Sequence, residues 1–288
     1  MKNLLAYKRM PVWNRDTVPT EITHKHNTKV GTWGKIKVLK GQLQFEAISD
    51  DNEITATEIY DSSSDIPMVE PQAWHRVTLL TDDTEFFVEF FCQPEDYFAK
   101  KYNYGRPHSE VLEALETIQA LGKVLDLGSG MGRNSLYLAQ QGFDVTAVDL
   151  NVNALENLAD VADAEDMDLQ IGTYDIASAS LQSVYDWIVS TVVLMFLPSE
   201  RVPDIIRNMQ EQTAVGGYNL IVCAMDTDDA PCVMNFPFTF KEGELKNYYQ
   251  GWELIKYNED FGHLHKRDEN GNRIRMRFAT MLARKITE

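Results

Sequence analysis

The stretch Val124–Asn134, VLDLGSGMGRN, carries an apolar run into three alternate glycines, Gly128, Gly130 and Gly132, with a carboxylate, Asp126, two residues ahead of them. Alternate glycines let the backbone approach a ligand closely and turn through conformations closed to other residues. The dinucleotide fingerprint G-x-G-x-x-G does not fit. Counted from Gly128, its last position is Arg133, whose side chain would block close packing of helix on strand. A P-loop does not fit either, because no Gly-Lys-Ser/Thr follows. The pattern is D-x-G-x-G-x-G, a loop built for a ligand other than a pyrophosphate.

A second group could do chemistry near the C-terminus. Between positions 263 and 277 lie His263, His265, Lys266, Arg267, Arg273, Arg275 and Arg277, interrupted by Asp268, Glu269 and the turn ENGNR. Guanidinium groups hold oxyanions through a planar fork, and a histidine can give or take a proton near neutral pH. The same run also reads as a solvated hairpin, since Arg275 and Arg277 alternate with Met276 and Phe278 as in an ordinary strand. A third group is His24-Lys25-His26 with His75 much later. It has the look of a cupin, in which three imidazoles inside a barrel bind a transition metal. The glutamate that usually follows the H-x-H is missing, so no metal is assigned.

These groups must be positioned by the elements around them. From about Lys29 to Phe91 the chain runs in short β-type segments, KIKVLKGQLQFEAI, EITATEIY, WHRVTLL and EFFVEFF, separated by turn residues. An antiparallel sandwich or small barrel is expected. After the polar, aromatic connector QPEDYFAKKYNYGRP the period changes: Pro107 opens a predicted helix that carries Val111, Leu112, Leu115, Ile118 and Leu121 on one face until Gly122. Strands KVLDL, FDVTAVDL, LQIGTYD, YDWIVSTVVL and YNLIVCAM then alternate with amphipathic helices at about 132–141, NALENLADVADAE and SERVPDIIRNMQ. That alternation predicts an α/β doubly wound domain, its mostly parallel sheet covered on both faces. The expected division is a β domain over 1–93 and an α/β domain over 94–288.

Composition narrows the partners. A formal net charge of −17 opposes nucleic acid and anionic membranes, which argues for a small-molecule substrate. Three cysteines, Cys92, Cys223 and Cys232, without C-x-x-C spacing favour a reducing, cytoplasmic setting over a disulfide framework. No apolar run is long enough to span a bilayer. Monomer and homodimer both remain open.

The carboxylate two residues before an alternate-glycine loop resembles motif I of class I S-adenosylmethionine-dependent methyltransferases. The cofactor implied, S-adenosyl-L-methionine, carries an ammonium and a sulfonium where a dinucleotide carries phosphates, so close backbone approach with Asp126 nearby suits it. The resemblance implies a cofactor site of Asp126, Gly128, Gly130, Gly132 and Asn134, with Asp149 on the ribose hydroxyls and Leu150 beside it. Asp175 would read the adenine amino group with Ile176 against the ring, Thr191 would flank the reacting centre, and Tyr102 and His108 would cap the pocket. GRNSLYLA, STVVLMFL and NGNRIRMRFATMLARK further resemble the tellurite-resistance methyltransferases, and MPVWNRDTVP, KHNTKVGTWGK and VEPQAWHRV resemble the N-terminal cupin-like β domain of their longer members. Ser129 stands where relatives often carry Cys. What the family implies is a seven-stranded sheet, methyl transfer to tellurite and related selenium oxyanions, and tellurium detoxification. It also places the functional residues on HLHKRDENGNR: His265 and Arg273, with Lys266 where relatives often carry Arg. Other substrates, a small organic acid or thiol, and a non-catalytic sensor of cofactor or oxyanion are the alternatives.

Overall fold

The computed structural model describes residues 3–118 and 120–287, and at His265 the backbone alone. Contacts divide the chain into two compact units that meet in sequence at Gly105 and Arg106.

The first unit contains strands β1 (Leu5–Arg9), β2 (Trp33–Lys40), β3 (Leu43–Ile48), β4 (Ile54–Tyr60), β5 (His75–Leu79) and β6 (Glu85–Cys92), with short helices α1 (Thr20–Thr23) and α2 (Tyr97–Tyr102). They form two antiparallel sheets of order β1-β6-β2 and β4-β3-β5. The period-2 pattern of β2 sorts its side chains: Ile36 and Val38 are buried while Lys37 and Leu39 are exposed. Both sheets feed one core of Trp13, Ile36, Val38, Leu43, Ile66, Val77, Phe86 and Val88, so the unit is a β-sandwich.

The second unit contains α3 (Ser109–Thr117), β7 (Lys123–Leu127), α4 (Arg133–Gln140), β8 (Asp144–Asp149), α5 (Val152–Ala164), β9 (Leu169–Thr173), β10 (Tyr185–Thr191), α6 (Val202–Glu211), β11 (Thr213–Ala224), α7 (Glu244–Tyr248), β12 (Glu253–Asn258), β13 (Phe261–Arg267) and β14 (Arg273–Arg284). A path of seven strands runs β12-β14-β11-β10-β7-β8-β9, and β13 pairs with β14 beside it. The pairs from β11 through β9 are parallel, and β14 is antiparallel to both its neighbours on the path. Consecutive residues of one strand enter different cores. Trp187 and Val189 pack with Val111, Leu138 and Phe143 on one face, while Ile188 packs with Leu194, Ile205 and Met209 on the other. A strand buried on both faces has no polar side, which is why Val124-Leu125 in β7 and Trp187-Ile188-Val189 in β10 are apolar at consecutive positions.

The chain proceeds β7, β8, β9 toward one edge and then returns to place β10 on the other side of β7. Strand order therefore reverses between β7 and β10, and the glycine loop opens at that reversal.

Helix α3 is shorter than its apolar period predicts. It starts at Ser109, with the His108 ring rather than Pro107 setting the start: Nδ1 accepts from the Glu110 N–H at 3.2 Å. It ends where Ile118 leaves the helical region, so Leu121 lies outside it and is exposed.

Candidate active site

The glycine loop joins the buried end of β7 to α4. Each glycine has its own reason. At Gly132, φ is +82° and an added Cβ would lie 2.3 Å from Leu158 Cδ1, so this residue lets α4 begin against α5. At Gly130, φ is +54° and an added Cβ would meet nothing within 4 Å: the loop leaves open space on its outer side. The Gly128 and Ser129 N–H groups both donate to Val148 O at 2.9 Å, tying the loop to the neighbouring strand. Ser129 Oγ is buried without a hydrogen-bond partner among the described residues. An unspent hydroxyl beside open space is what a polar ligand would complete.

The carboxylates lie around this loop. Asp126 is 2% exposed, and burial raises its pKa to about 6 despite a 2.6 Å bond from Ser135 Oγ and the nearby Arg133 cation. Arg133 is itself half-buried, and burial lowers its pKa. Asp149 ends β8 and spends both oxygens on the main chain: Oδ2 accepts from Gly130 N–H and Oδ1 from Asn151 N–H, each at 2.8 Å. It thus braces the tip of the glycine loop while remaining only half-buried. Leu150 beside it is exposed. Asp175 caps a short 3-10 turn, accepting from Ala177 N–H at 3.0 Å. Ile176 is buried in the main core of the second unit.

Asn134 ties three elements together. Its Oδ1 accepts from His108 N–H at 2.9 Å and its Nδ2 donates to Thr191 Oγ1 at 3.1 Å, so the entry to α3, the start of α4 and the end of β10 share one amide. Immediately after Thr191, Val192 holds φ +63°. A β-branched residue there is strained, and such strain persists only where the surroundings impose it. Tyr102 belongs to the first unit, where it ends α2 and its ring stacks on Phe98.

A cavity of about 430 Å³ adjoins these residues, lined by His108, Glu110, Arg133, Lys256, Asp260 and His263 among others. Lys256 reaches it from β12 and is held by Glu110 at 2.6 Å and Glu113 at 2.7 Å. Strands β13 and β14 form the expected hairpin, with a register irregularity between His263 and Arg267. Arg273 donates across it, from Nε to Leu264 O at 3.0 Å and from Nη2 to His263 O at 3.4 Å. Its guanidinium therefore grips the irregular stretch that carries His263. Lys266 is exposed, and the side chain of His265 lies outside the described residues. Of the other arginines, Arg275 lies 3.8 Å over the Phe261 ring and Arg277 pairs with Asp229 at 2.6 Å. The sequence reading missed Arg133 and Lys256. It treated the first only as an obstruction to dinucleotide binding, and the second sits in an ordinary strand.

In the first unit the three histidines do not converge as a cupin-like reading of H-x-H expects. His24 Nδ1 bonds to Thr20 O at 2.8 Å and the residue is exposed, whereas His26 and His75 meet across an antiparallel bridge. Among the described residues no group of three or more metal-ligating side chains occurs. Cys92 and Cys223 are buried, and burial raises both thiols, Cys92 to about 12.

A reversed-order sheet, a D-x-G-x-G-x-G loop at the reversal and a carboxylate at the end of the next strand define a class I S-adenosylmethionine-dependent methyltransferase with an N-terminal β domain. The tellurite resistance protein TehB family matches residues 90–282, and the TehB-like domain matches residues 8–88. The chain belongs to the TehB family. It is 56% identical over 286 residues, 99% of the chain and 100% of the relative, to the probable S-adenosyl-L-methionine-dependent methyltransferase TehB of Haemophilus influenzae strain 10810. The crystal structure of TehB from Haemophilus influenzae superposes with a TM-score of 0.95 at 56% identity, covering 99% of this chain and 100% of that one. A protein named hemagglutinin 1 from Eikenella corrodens is 46% identical over 249 residues, 86% of this chain and 82% of its own. The protein is an S-adenosylmethionine-dependent methyltransferase. No helix among the described residues is long and apolar enough to cross a membrane.

Proposed function

We propose that the methyl acceptor is tellurite, with related selenium oxyanions as further substrates, and that the reaction serves tellurium detoxification in the cytoplasm. The observation that carries this reading is the second unit's cavity beside the glycine loop, where the donors Arg133 and Lys256 stand with His108 and His263 among the carboxylates Glu110 and Asp260. Guanidinium and ammonium donors give an oxyanion charge-assisted hydrogen bonds in a chain whose net charge of −17 otherwise repels it.

S-adenosylmethionine supplies a methyl group already activated by its sulfonium. The tellurium lone pair forms the new bond to carbon, and the carbon–sulfur electron pair stays with sulfur, so no base has to remove a proton. What the chain contributes is orientation and exclusion of water. Asp149 and Asp175 hold the nucleoside, the Gly128–Gly132 loop with Asp126 receives the methionine end, and Thr191 and Asn134 lie beside the transferred group. Arg273 braces the hairpin, and with His265 and Lys266 it orients the oxyanion. His108 closes the pocket.

The test is S-adenosylhomocysteine release by the purified protein with and without tellurite, alongside detection of methylated tellurium. Tellurite-dependent release is the expected result. Release only with a small organic acid or thiol would transfer the same site to that acceptor class.

A further inference from the structure

The first unit encloses a cavity of about 420 Å³ that methyl transfer does not use. Its walls are apolar, with Ile36, Val77, Phe86 and Val88 among them, and His26 and His75 also line it. The two rings lie 4.2 Å apart between centroids. Each Nδ1 bonds to a main-chain carbonyl, His26 to His24 O at 3.0 Å and His75 to Ala73 O at 2.8 Å. Nδ1 is thereby the donor and Nε2 carries the lone pair. Neither Nε2 has a hydrogen-bond partner among the described residues. Burial lowers both histidines, His75 to about 4, so both rings are neutral near pH 7. They present acceptors that ask for a donor.

The charge on the lining has one sign. Lys8, Lys29 and Lys100 line the cavity, and no Asp or Glu among the described residues does. Lys100 is anchored there by Thr32 Oγ1 at 2.8 Å. Three ammonium groups oppose a metal cation and favour an anion. A bare oxyanion would leave most of this volume and its apolar wall unfilled, whereas a cavity of this size suits a small organic molecule.

Gly34 adds an independent sign. It lies in β2 and lines the cavity, its φ is not in the left-handed region, and an added Cβ would meet Thr28, Val69 and Val88 only at 3.9 Å. Neither backbone nor packing demands glycine there. A strand glycine costs stability and often marks a place where a ligand comes close.

We infer that the N-terminal β-sandwich is a binding site for a small organic anion. Such a ligand has an acidic head near Lys8, Lys29 and Lys100, an apolar body along Ile36, Val77 and Val88, and a hydrogen-bond donor directed to the His26–His75 pair. The site lies wholly within the first unit and is separate from the methyl-transfer site, so it accepts a second small molecule that is neither cofactor nor tellurite.

The test uses the full chain with S-adenosylhomocysteine at saturation, which occupies the cofactor site. The probe is 8-anilinonaphthalene-1-sulfonate, an aromatic anion with one N–H donor, and its fluorescence is titrated. Saturable binding at one site per chain is expected. N-phenyl-1-naphthylamine keeps the rings and the N–H but lacks the sulfonate, and should bind at least about tenfold more weakly. The Lys8→Glu/Lys29→Glu double variant, changed only at exposed side chains, should weaken the anionic probe by a similar factor. Gly34→Leu should fill the cavity and remove saturable binding. Equal affinity for the neutral dye would overturn the inference, as would undiminished binding in both variants or no binding at all. So would displacement of the probe by one equivalent of Zn²⁺ or Ni²⁺, lost in His75→Phe, because that assigns the cavity to a metal.

Discussion

Replacing Asp149 by Asn tests the part proposed for that carboxylate in cofactor binding. In the protein both oxygens already accept main-chain N–H bonds of 2.8 Å, from Gly130 and Asn151. An amide keeps one of these bonds and turns its NH₂ toward the other donor. The loop loses one charge-assisted bond, worth about 1.5–3 kcal/mol at most in a half-buried setting. On the role proposed for Asp149, the ribose hydroxyls lose an anionic acceptor at the same time, so we expect binding to weaken by about 2 kcal/mol, or roughly 30-fold in Kd. Titration calorimetry with S-adenosylmethionine and S-adenosylhomocysteine reads this directly. Both ligands carry the same ribose, so both should weaken by the same factor while kcat at saturating cofactor changes less than about threefold. A Kd within about threefold of wild type together with a lowered melting temperature would refute the reasoning, since Asp149 would then serve only to hold the loop.

Asp126, raised to about 6 by burial, should make cofactor affinity pH-dependent. A cationic ligand selects the carboxylate form, so Kd should be flat above pH 6 and rise by up to about tenfold per unit below it. Asp126→Asn should bind weakly with no such slope, and a slope surviving in that variant would assign the titration elsewhere. Without ligand the sign is opposite: a carboxyl whose folded pKa is raised costs stability as pH climbs from 3.8 toward 6, so Asp126→Asn should melt no lower than wild type at pH 7. Arg273→Ala frees the carbonyls of His263 and Leu264, and His265→Ala removes an imidazole. Each should lower kcat/KM for tellurite by about tenfold or more with cofactor Kd unchanged, and equal loss of both would move these residues out of the acceptor site.

What the amino-acid sequence determined by itself is whatever depends on near neighbours. The glycine loop and the carboxylate ahead of it were legible because turn chemistry is written within a few residues, and Gly132 does begin α4. The two-unit architecture was legible because the apolar pattern changes from alternation in β2 to consecutive apolar residues in β7 and β10, which follows from burial on one face or on both. Helix α3 marks the limit of that reasoning. Its apolar spacing continues to Leu121, but the helix stops when Ile118 turns extended, and periodicity alone carries no such boundary. Tertiary structure decided the rest. Glu110 and Lys256 are 146 residues apart in the chain and 2.6 Å apart in space, a pairing that exists only because β14 brings β12 into the sheet. Asn134 links His108 to Thr191 because α4 starts where the sheet reverses. In the first unit, H-x-H spacing fails because His24 turns to its own helix while the bridge to His75 selects His26. Side chains separated by long stretches of chain acquire their roles only when sheet order and register set them face to face, and no local pattern encodes that order.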